Sequence, residues 1–377
     1  MWKAPSILVG IVLLLLALGI VMLASASSVK GADVHTDPTY FLKRQVVFLA
    51  VALIAGWLAA RVDYHAWQRH WILLAALSAA LLLIVLIPHI GVKIGGSRRW
   101  LKLGGFSFQP SEFAKLAAVV MLSAWMTQAG RKASRFIEGI AKPGAMLAVL
   151  LGLIFAEPDF GTTILIAAVG FALLFVGGAR PRYLAVTGTL GLAGFVVAVM
   201  HDPVRMGRIL AFLMPEKYPA AAFQLGQSKV AFVLGGFGGC GLGESIQKRF
   251  YLPEAHTDFI LAIIGEELGL VATVLVVALF AGVFACGMTI ASRARDLYGR
   301  LLATGLTLTL VLQAVINVGV VTGCMPTKGL PLPFISYGGS SLVASTIAVG
   351  ILISIARQGI PDDRHPGHTV RDGTQWV

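Results

Sequence analysis

Residues 259–290 read FILAIIGEELGLVATVLVVALFAGVFACGMTI, and this segment decides the fold class. Its only charges are Glu266 and Glu267, and it is longer than the roughly 20 apolar residues that an α-helix needs to cross a bilayer. Similar segments recur along the 377 residues, of which 57% are hydrophobic and only 13% are charged. Such a composition excludes a soluble domain, so the sequence predicts a polytopic helical membrane protein.

The predicted fold class is all-α, with about ten transmembrane helices and a long extracytoplasmic loop, about residues 201–258, between helices 7 and 8. The first segment follows Lys3 and exceeds the apolar part of a signal peptide, so we expect an uncleaved helix. One membrane domain then covers residues 1–358, and residues 359–377 form a short cytoplasmic tail. The predicted spans are 7–26, 45–60, 71–90, 112–128, 144–156, 161–179, 183–200, 259–290, 301–323 and 338–356.

Basic residues predict the orientation and the surroundings of the protein. Lys and Arg number 30 against 18 Asp and Glu, which in a membrane protein indicates loops facing anionic headgroups rather than nucleic acid. Once the long loop is set aside, the basic residues favour cytoplasmic termini. Basic residues normally concentrate on the cytoplasmic side, but one basic cluster then lies on the outer side. Either the orientation is reversed or an anionic ligand binds to this cluster. We favour the second interpretation for the cluster Lys93, Arg98, Arg99 and Lys102.

The eight residues YLPEAHTD that end at Asp258 concentrate titratable groups at the start of the long apolar helix. Thr257 is the predicted N-cap, so Asp258 falls in the first turn, where the helix dipole favours its ionised form. An ionised carboxylate there can act as a general base or bind a divalent cation. It can also be a purely dipole-stabilising acid, but the neighbouring titratable groups favour a functional site, namely His256, Glu254, Lys248 and Arg249.

Arg98, Arg99 and Trp100 form the first basic group in a predicted outer segment. Two adjacent guanidinium groups suit a phosphate, and an indole ring can stack on a sugar. The alternative is an interfacial anchor, since aromatic and basic residues are enriched where a membrane meets water.

Two further predicted outer segments carry acids. Ser111 is a predicted N-cap, with Glu112 favourably placed at the positive end of the helix dipole and Lys115 one turn further on. A capped helix with an ion pair explains this pattern, and a substrate role is the alternative. Glu157 and Asp159 lie in a tight connection, either as solvated turn acids or as partners of a cation or of the basic segment around Arg98.

Polar groups in the last two outer segments are candidates for contacts to sugar and phosphate. Gln224 and Gln227 recur at helical spacing and can bind sugar hydroxyls, or can form the polar face of a helix lying on the membrane. Lys328 is the only charge in a proline-rich segment and is a candidate phosphate ligand, with Ser336 a further candidate contact. A re-entrant loop without binding function explains this last segment equally well.

Deeper in the long helix, Glu266 and Glu267 lie eight and nine residues beyond Asp258 and point in different directions. We therefore expect them to bind other helices, through Gln313 or Asn317, or to take part in conformational coupling rather than to join the site of Asp258.

A glycine-rich segment and the spacing of the cysteines argue against a nucleotide site and against a disulfide or cysteine metal site. The segment GGFGGCGLG at residues 235–243 contains G-x-G-x-x-G, but it lies between membrane spans rather than between a strand and a helix, so a nucleotide site is rejected. A flexible or re-entrant turn is the expected use of these glycines. No disulfide framework or cysteine metal site is expected from the widely spaced Cys240, Cys286 and Cys324.

Four motifs occur in order along the chain: QPSEFAK at 109–115, EPDFGT at 157–162, YLPEAHTDF at 251–259 with EELG at 266–269, and PTKGLPLP at 326–333 with SYGGSS at 336–341. Together they resemble the SEDS family (shape, elongation, division and sporulation) of bacterial cell-wall synthesis. The resemblance covers nearly the whole chain, to about Gln358. The amino-acid sequences of the last two motifs are closer to the FtsW branch than to the RodA branch.

The resemblance implies a peptidoglycan glycosyltransferase that polymerises lipid II on the outer face of the cytoplasmic membrane, at the division septum. It implies a class B penicillin-binding protein and other divisome proteins as partners, and Asp258 as the essential acid. Asp258 would activate the GlcNAc 4-hydroxyl of the acceptor lipid II for attack on C1 of the lipid-linked MurNAc. Cations, with or without Mg²⁺ or Mn²⁺, would stabilise the departing undecaprenyl pyrophosphate.

Three alternatives stay open. A RodA-like polymerase would serve cell elongation instead of division. A flippase for the same lipid should show internal repeats and charges along a path through the membrane, and neither is evident in the sequence. A scaffold of the division machinery would tolerate the loss of Asp258.

Overall fold

The computed structural model describes residues 3–94, 97–103, 106–249 and 251–359, so all but the first residue of the predicted tail lies outside the described residues. Within these ranges the chain is mainly helical. Its elements in order are α1 (Lys3–His35), α2 (Tyr40–Arg61), α3 (Tyr64–Arg69), α4 (Trp71–Leu86), β1 (Gly91–Ile94), β2 (Ser97–Leu103), β3 (Phe106–Phe108), α5 (Pro110–Ala129), α6 (Lys142–Ala156), α7 (Phe160–Val176), α8 (Pro181–Met200), α9 (Pro203–Leu213), α10 (Pro219–Gly235), α11 (Ile260–Ser292), α12 (Leu297–Val321) and α13 (Gly339–Gly359).

Each of the ten predicted spans coincides with one of these helices, which confirms a multi-pass helical membrane protein. Seven helical segments in the described ranges are long and apolar enough to cross a membrane, and α4 and α7 are apolar but shorter. The count of ten spans stays a prediction.

Helices α12 and α13 form the centre of the bundle. In their most apolar windows 67% and 78% of the residues are buried inside the protein, against 11% in α2 and α8, so the latter two present most of their surface to lipid. Helix α12 packs against α5, α7 and α11, while α2 packs along α13.

Helix directions fix the two faces of the bundle. Asp258 lies just before α11, and α13 begins on the same face, because the segment between α12 and α13 contacts the residues around Asp258. The carboxyl end of α1 also reaches this face, where Lys30 pairs with Glu254. Residues 3 and 359 therefore both lie at the opposite face.

A three-stranded antiparallel sheet, ordered β1–β2–β3, precedes α5 and adds strands to the predicted all-α fold. Because side chains alternate along a strand, Arg99 shares one face of β2 with the buried Ser97 and Leu101. Arg98 lies on the other face and is opposite Lys93 in the register of β1 and β2. The sheet thus separates the two adjacent arginines and turns Arg99 toward the protein.

The predicted long loop contains the helices α9 and α10 and a glycine-rich segment that docks on a break in α11. Gly269 interrupts α11 with a φ of 75°, and there the amide of Leu270 donates to the carbonyl of Gly236 at 2.9 Å. The amide of Cys240 donates to the carbonyl of Glu266 at 2.9 Å, on the other side of the break. A Cβ on Gly239 would overlap the carbonyl of Glu267, so glycine permits this close backbone approach.

Candidate functional site

Asp258 lies immediately before α11, at one face of the bundle. The helix begins at Ile260 and its N-cap is Phe259, so the predicted N-cap Thr257 is wrong. The Thr257 hydroxyl instead donates to the backbone carbonyl of Glu254 at 3.2 Å and to its carboxylate at 3.0 Å, which closes a turn ahead of the helix. Asp258 is therefore carried by this turn, with its side chain partly buried.

The segment between α12 and α13 wraps around the turn that carries Asp258. The Ser336 hydroxyl donates to the carbonyl of Thr257 at 2.6 Å and accepts from the amide of Leu332 at 2.8 Å. Gly329 borders the carboxylate itself, since a Cβ there would lie 2.8 Å from Oδ2 of Asp258. Ser336 thus joins the two segments, and the missing side chain at Gly329 leaves room beside the carboxylate.

Buried polar side chains of α12 hold these segments in place. Asn317 donates from Nδ2 to the carbonyl of Asp258 at 2.8 Å and to that of Leu330 at 2.7 Å. One turn away, Gln313 donates to the carbonyl of Pro331 at 2.8 Å. Because buried backbone carbonyls are costly to leave without donors, these amides fix the segment next to Asp258.

Helix α5 supports the same segment through an ion pair that the sequence predicted. Nζ of Lys115 lies 2.8 Å from the carboxylate of Glu112, with both side chains buried, and donates to Oε1 of Gln313 at 2.6 Å. The predicted cap at Ser111 is wrong, because α5 begins at Pro110 and its N-cap is Gln109.

The two acids between α6 and α7 are buried, since Glu157 and Asp159 are 0% and 2% exposed. The alternative that they are solvated acids of a turn is therefore wrong. Asp159 caps α7 by accepting from the amide of Thr162 at 3.2 Å. Arg99 reaches into this turn, donating to the carbonyls of Glu157 at 3.3 Å and Pro158 at 2.9 Å, and its Nη1 lies 3.9 Å from Asp159. The basic and acidic segments thus meet, through Arg99 rather than Arg98.

The charges of Arg99 and Asp159 also affect the pKa of Asp258. Burial, followed by the charges of Glu254 and Asp159, raises the pKa of Asp258, while Arg99 and Arg208 lower it, and the net pKa is about 7. No sequence motif indicates Arg208 as a site residue. Arg208 lies on α9, one turn beyond Arg205, whose guanidinium lies 3.5 Å from the ring centroid of Phe160 and so packs α9 beside the acidic turn. The influence of Arg208 on Asp258 can be recognised only from the packing of α9, since α9 contains none of the sequence motifs.

Two neighbouring groups are neutral near pH 7. Burial, together with repulsion from Asp159, raises the pKa of Glu157 to about 9 despite the nearby Arg99. Burial, and then the charge of Lys30, lowers the pKa of His256 to about 4. The His256 ring packs 4.8 Å from that of Phe41, measured between centroids.

Glu267 binds another helix as expected, since it accepts from the hydroxyl of Ser25 on α1 at 2.6 Å. Neither Glu266 nor Glu267 binds Gln313 or Asn317, so these two expected partners are wrong. Glu266 accepts from the hydroxyl of Ser245 and from the amide of Ile246, and Glu267 forms a 2.8 Å ion pair with Lys248. These contacts anchor the end of the long loop to α11.

The other candidate contacts are spread around the same face. Lys248 is buried in its ion pair, while Arg249 is exposed. Gln224 donates to the carbonyl of Pro253 at 3.0 Å, and Gln227 lines a cavity of about 300 Å³ beside α10. Burial lowers the pKa of Lys328, and Trp100 is partly buried on β2. Their contacts with a substrate stay predictions, as do those of Arg98 and Ser336.

In the described ranges, no three His, Cys, Asp or Glu side chains are grouped so that they could hold a metal ion by themselves. The divalent cation considered for Asp258 stays a prediction.

Comparison with known proteins identifies the family. A family model described as a cell cycle protein, which groups FtsW, RodA and SpoVE, matches residues 5–359. The chain belongs to the FtsW/RodA/SpoVE family. The resemblance seen in the four sequence motifs is thereby confirmed.

Relatives within the FtsW/RodA/SpoVE family are similar over almost their whole length. The chain is 44% identical to the probable peptidoglycan glycosyltransferase FtsW of Trichlorobacter lovleyi, across 93% of this chain and 92% of the relative. It is 41% identical to the stage V sporulation protein E of Bacillus subtilis, across 93% and 96%.

Solved structures from this family share the fold. A chain from a structure described as "Structural coordination of polymerization and crosslinking by a peptidoglycan synthase complex" is 31% identical, with a TM-score of 0.78 over 94% of this chain and 98% of that chain. The rod shape determining protein RodA of Thermus thermophilus is 28% identical, with a TM-score of 0.70 over 94% and 97%.

Proposed function

We propose that this chain is an FtsW-type peptidoglycan glycosyltransferase, which polymerises lipid II into β-1,4-linked glycan strands during cell division. The observation that carries the proposal is Asp258, a partly buried carboxylate with a pKa near 7, close to Arg99 and Arg208 at one face of a membrane bundle. The relatives named as probable FtsW glycosyltransferases support it.

In the proposed reaction Asp258 is the general base. It takes the proton of the acceptor's GlcNAc 4-hydroxyl while that oxygen attacks C1 of the donor's lipid-linked MurNAc. The bond from C1 to the pyrophosphate oxygen breaks and the configuration inverts. A base with a pKa near the working pH combines a useful ionised fraction with a strong driving force for proton transfer, and the pKa of Asp258 lies in that range.

The leaving group is an undecaprenyl pyrophosphate, and we propose Arg99 and Arg208 as its nearest cations. Arg99 is held by the carbonyls of Glu157 and Pro158, so its guanidinium is fixed before substrate arrives, and fixed charges stabilise a developing anion without reorganisation. Arg208 is exposed on the amphipathic helix α9 and has no ion-pair partner among the described residues.

The remaining elements of the proposal concern location and partners. With Asp258 on the outer face, residues 3 and 359 lie on the cytoplasmic side, as the basic residues favour. A class B penicillin-binding protein is the proposed partner, supported by the similarity to a chain of a peptidoglycan synthase complex. Other divisome proteins and a septal location complete the proposal.

The test is glycan-strand synthesis from lipid II by the purified chain, alone and with its class B partner, in vesicles that also report lipid translocation. We expect strands from the complex and no translocation that depends on this chain. Translocation without strands would favour a flippase, and neither activity in a stable complex would favour a scaffold.

A further inference from the structure

A second membrane-facing feature lies at the face opposite Asp258, between α1, α2 and α13. It is a groove of about 370 Å³ lined by apolar side chains, including Val12 of α1, Ala52 of α2 and Val349 of α13. Exposed residues such as Leu13 and Trp57 form its edges, so the groove borders the lipid rather than the protein interior. Neither Asp258 nor any other residue of the proposed active site lines it.

Two arginines close one end of this groove. Arg61 is in the last turn of α2 and Arg357 is in the last turn of α13. The guanidinium of Arg61 lies 4.5 Å from the ring centroid of Trp57, and that of Arg357 donates to the carbonyl of Ala60 at 3.3 Å. Neither forms an ion pair with a described residue, so two positive charges meet at the end of an apolar groove.

The dimensions suit one acyl chain of one leaflet. From Ala52 to Arg61 the groove follows ten residues of α2, which are separated by nine helical rises or about 14 Å, about half of a ~30 Å hydrocarbon core. An apolar channel of this depth that ends in two cations complements a lipid with an anionic phosphate headgroup.

We infer that this groove binds an anionic phospholipid, with one acyl chain between α1, α2 and α13 and its phosphate at Arg61 and Arg357. Guanidinium groups bind phosphate through paired N–H donors, and the stacking of Arg61 on Trp57 limits its motion before binding. The site is separate from the proposed reaction, because it lies at the other face of the bundle.

The test uses the purified full-length chain in phosphatidylcholine nanodiscs. Each nanodisc sample carries a trace of either phosphatidylglycerol or phosphatidylcholine with a photoreactive acyl chain, and labelled peptides are mapped after irradiation. We expect phosphatidylglycerol to label the groove peptides of α1, α2 and α13 about 30-fold more than phosphatidylcholine does. Equal labelling by the two lipids would overturn the inference.

Two matched pairs of variants assign the effect. Arg61→Gln with Arg357→Gln should abolish the preference, while Arg69→Gln with Arg131→Gln, exposed charges at the same face, should preserve it. Loss in both pairs would mean unspecific surface charge and would overturn the inference.

A groove-filling variant keeps both arginines and so does not depend on how their removal affects folding. Ala60→Phe should reduce labelling by phosphatidylglycerol at least tenfold, while Ala50→Phe, on the exposed side of α2, should not. Displacement of the photoreactive lipid by equimolar undecaprenyl pyrophosphate would assign the groove to polyprenyl substrates and would equally overturn the inference.

Discussion

The buried ion pair between Lys115 and Glu112 gives a prediction that separates stability from activity. The side chains are 4% and 1% exposed, and their charges lie 2.8 Å apart. At an effective dielectric constant of about 20 the gross attraction is about 6 kcal/mol. Lys115→Met keeps much of the apolar stem and leaves Glu112 as an uncompensated buried charge. We expect the free energy of unfolding to fall by about 3–5 kcal/mol.

The double variant Glu112→Gln with Lys115→Met should recover most of this stability, because no buried charge is left without a partner. It should not recover glycan synthesis, since Lys115 also donates to Gln313, which holds the carbonyl of Pro331 in the segment beside Asp258. Unfolding free energies come from SDS titration in mixed micelles, and activity comes from strand synthesis with lipid II.

Lys142→Met is the matched control, because Lys142 pairs with Glu138 at 2.6 Å but is 49% exposed. It should change the free energy of unfolding by no more than about 0.5 kcal/mol. The reasoning fails if Lys115→Met costs as little as Lys142→Met, or if the double variant is no more stable than Lys115→Met alone.

Three further predictions follow from the site and from the break in α11. The general base must be ionised, so the rate of strand synthesis measured from pH 5.5 to 9 should fall about tenfold per pH unit below a pKa near 7 and level off above it; a flat profile would contradict this role. Arg99→Gln removes a cation that lowers this pKa, so the acid limb of the profile should move to higher pH, and an equal shift in the control Arg98→Gln would contradict the assignment. Gly239→Ala should lower the free energy of unfolding by about 2 kcal/mol or more, because Gly239 has a φ of 81° and an added Cβ would overlap the carbonyl of Glu267. The control Gly238→Ala places its Cβ in open space and should not lower it. Equal SDS-titration curves for the two variants would refute this prediction.

Spans and local pairs were predictable from the sequence because their causes are local. Apolar segments of about 20 residues have few folds available to them in a bilayer, and all ten predicted segments lie on helices. Glu112 and Lys115 are three residues apart on one helix, which places their charges side by side in any such helix.

Contacts across the chain were not predictable in this way. Arg98 and Arg99 look equivalent in sequence, and only the strand pairing of β2 turns Arg99 toward Glu157 and Asp159. Arg208 influences the pKa of Asp258 from α9, a helix that packs beside the acidic turn through Arg205 on Phe160. Spacing alone cannot specify such neighbours.

The partners of Glu266 and Glu267 were predictable only in part. Other spans were the expected source of partners, and Ser25 of α1 does bind Glu267, but a segment at the end of the long loop supplies Ser245 and Lys248. That segment can lie there because the break at Gly269 leaves backbone groups for it to pair with. Thr257 is not the N-cap, because its hydroxyl donates to the carbonyl of Glu254 and closes a turn ahead of the helix.

The most direct test of Asp258 as the general base is a single-turnover comparison of the wild-type chain with Asp258→Asn, each in complex with its class B partner. The amide keeps the shape of the side chain and cannot accept the proton, so lipid II binding should stay within about threefold while the rate of bond formation falls by about 10²-fold or more. A variant that binds lipid II normally and forms glycan strands at the wild-type rate would contradict the account.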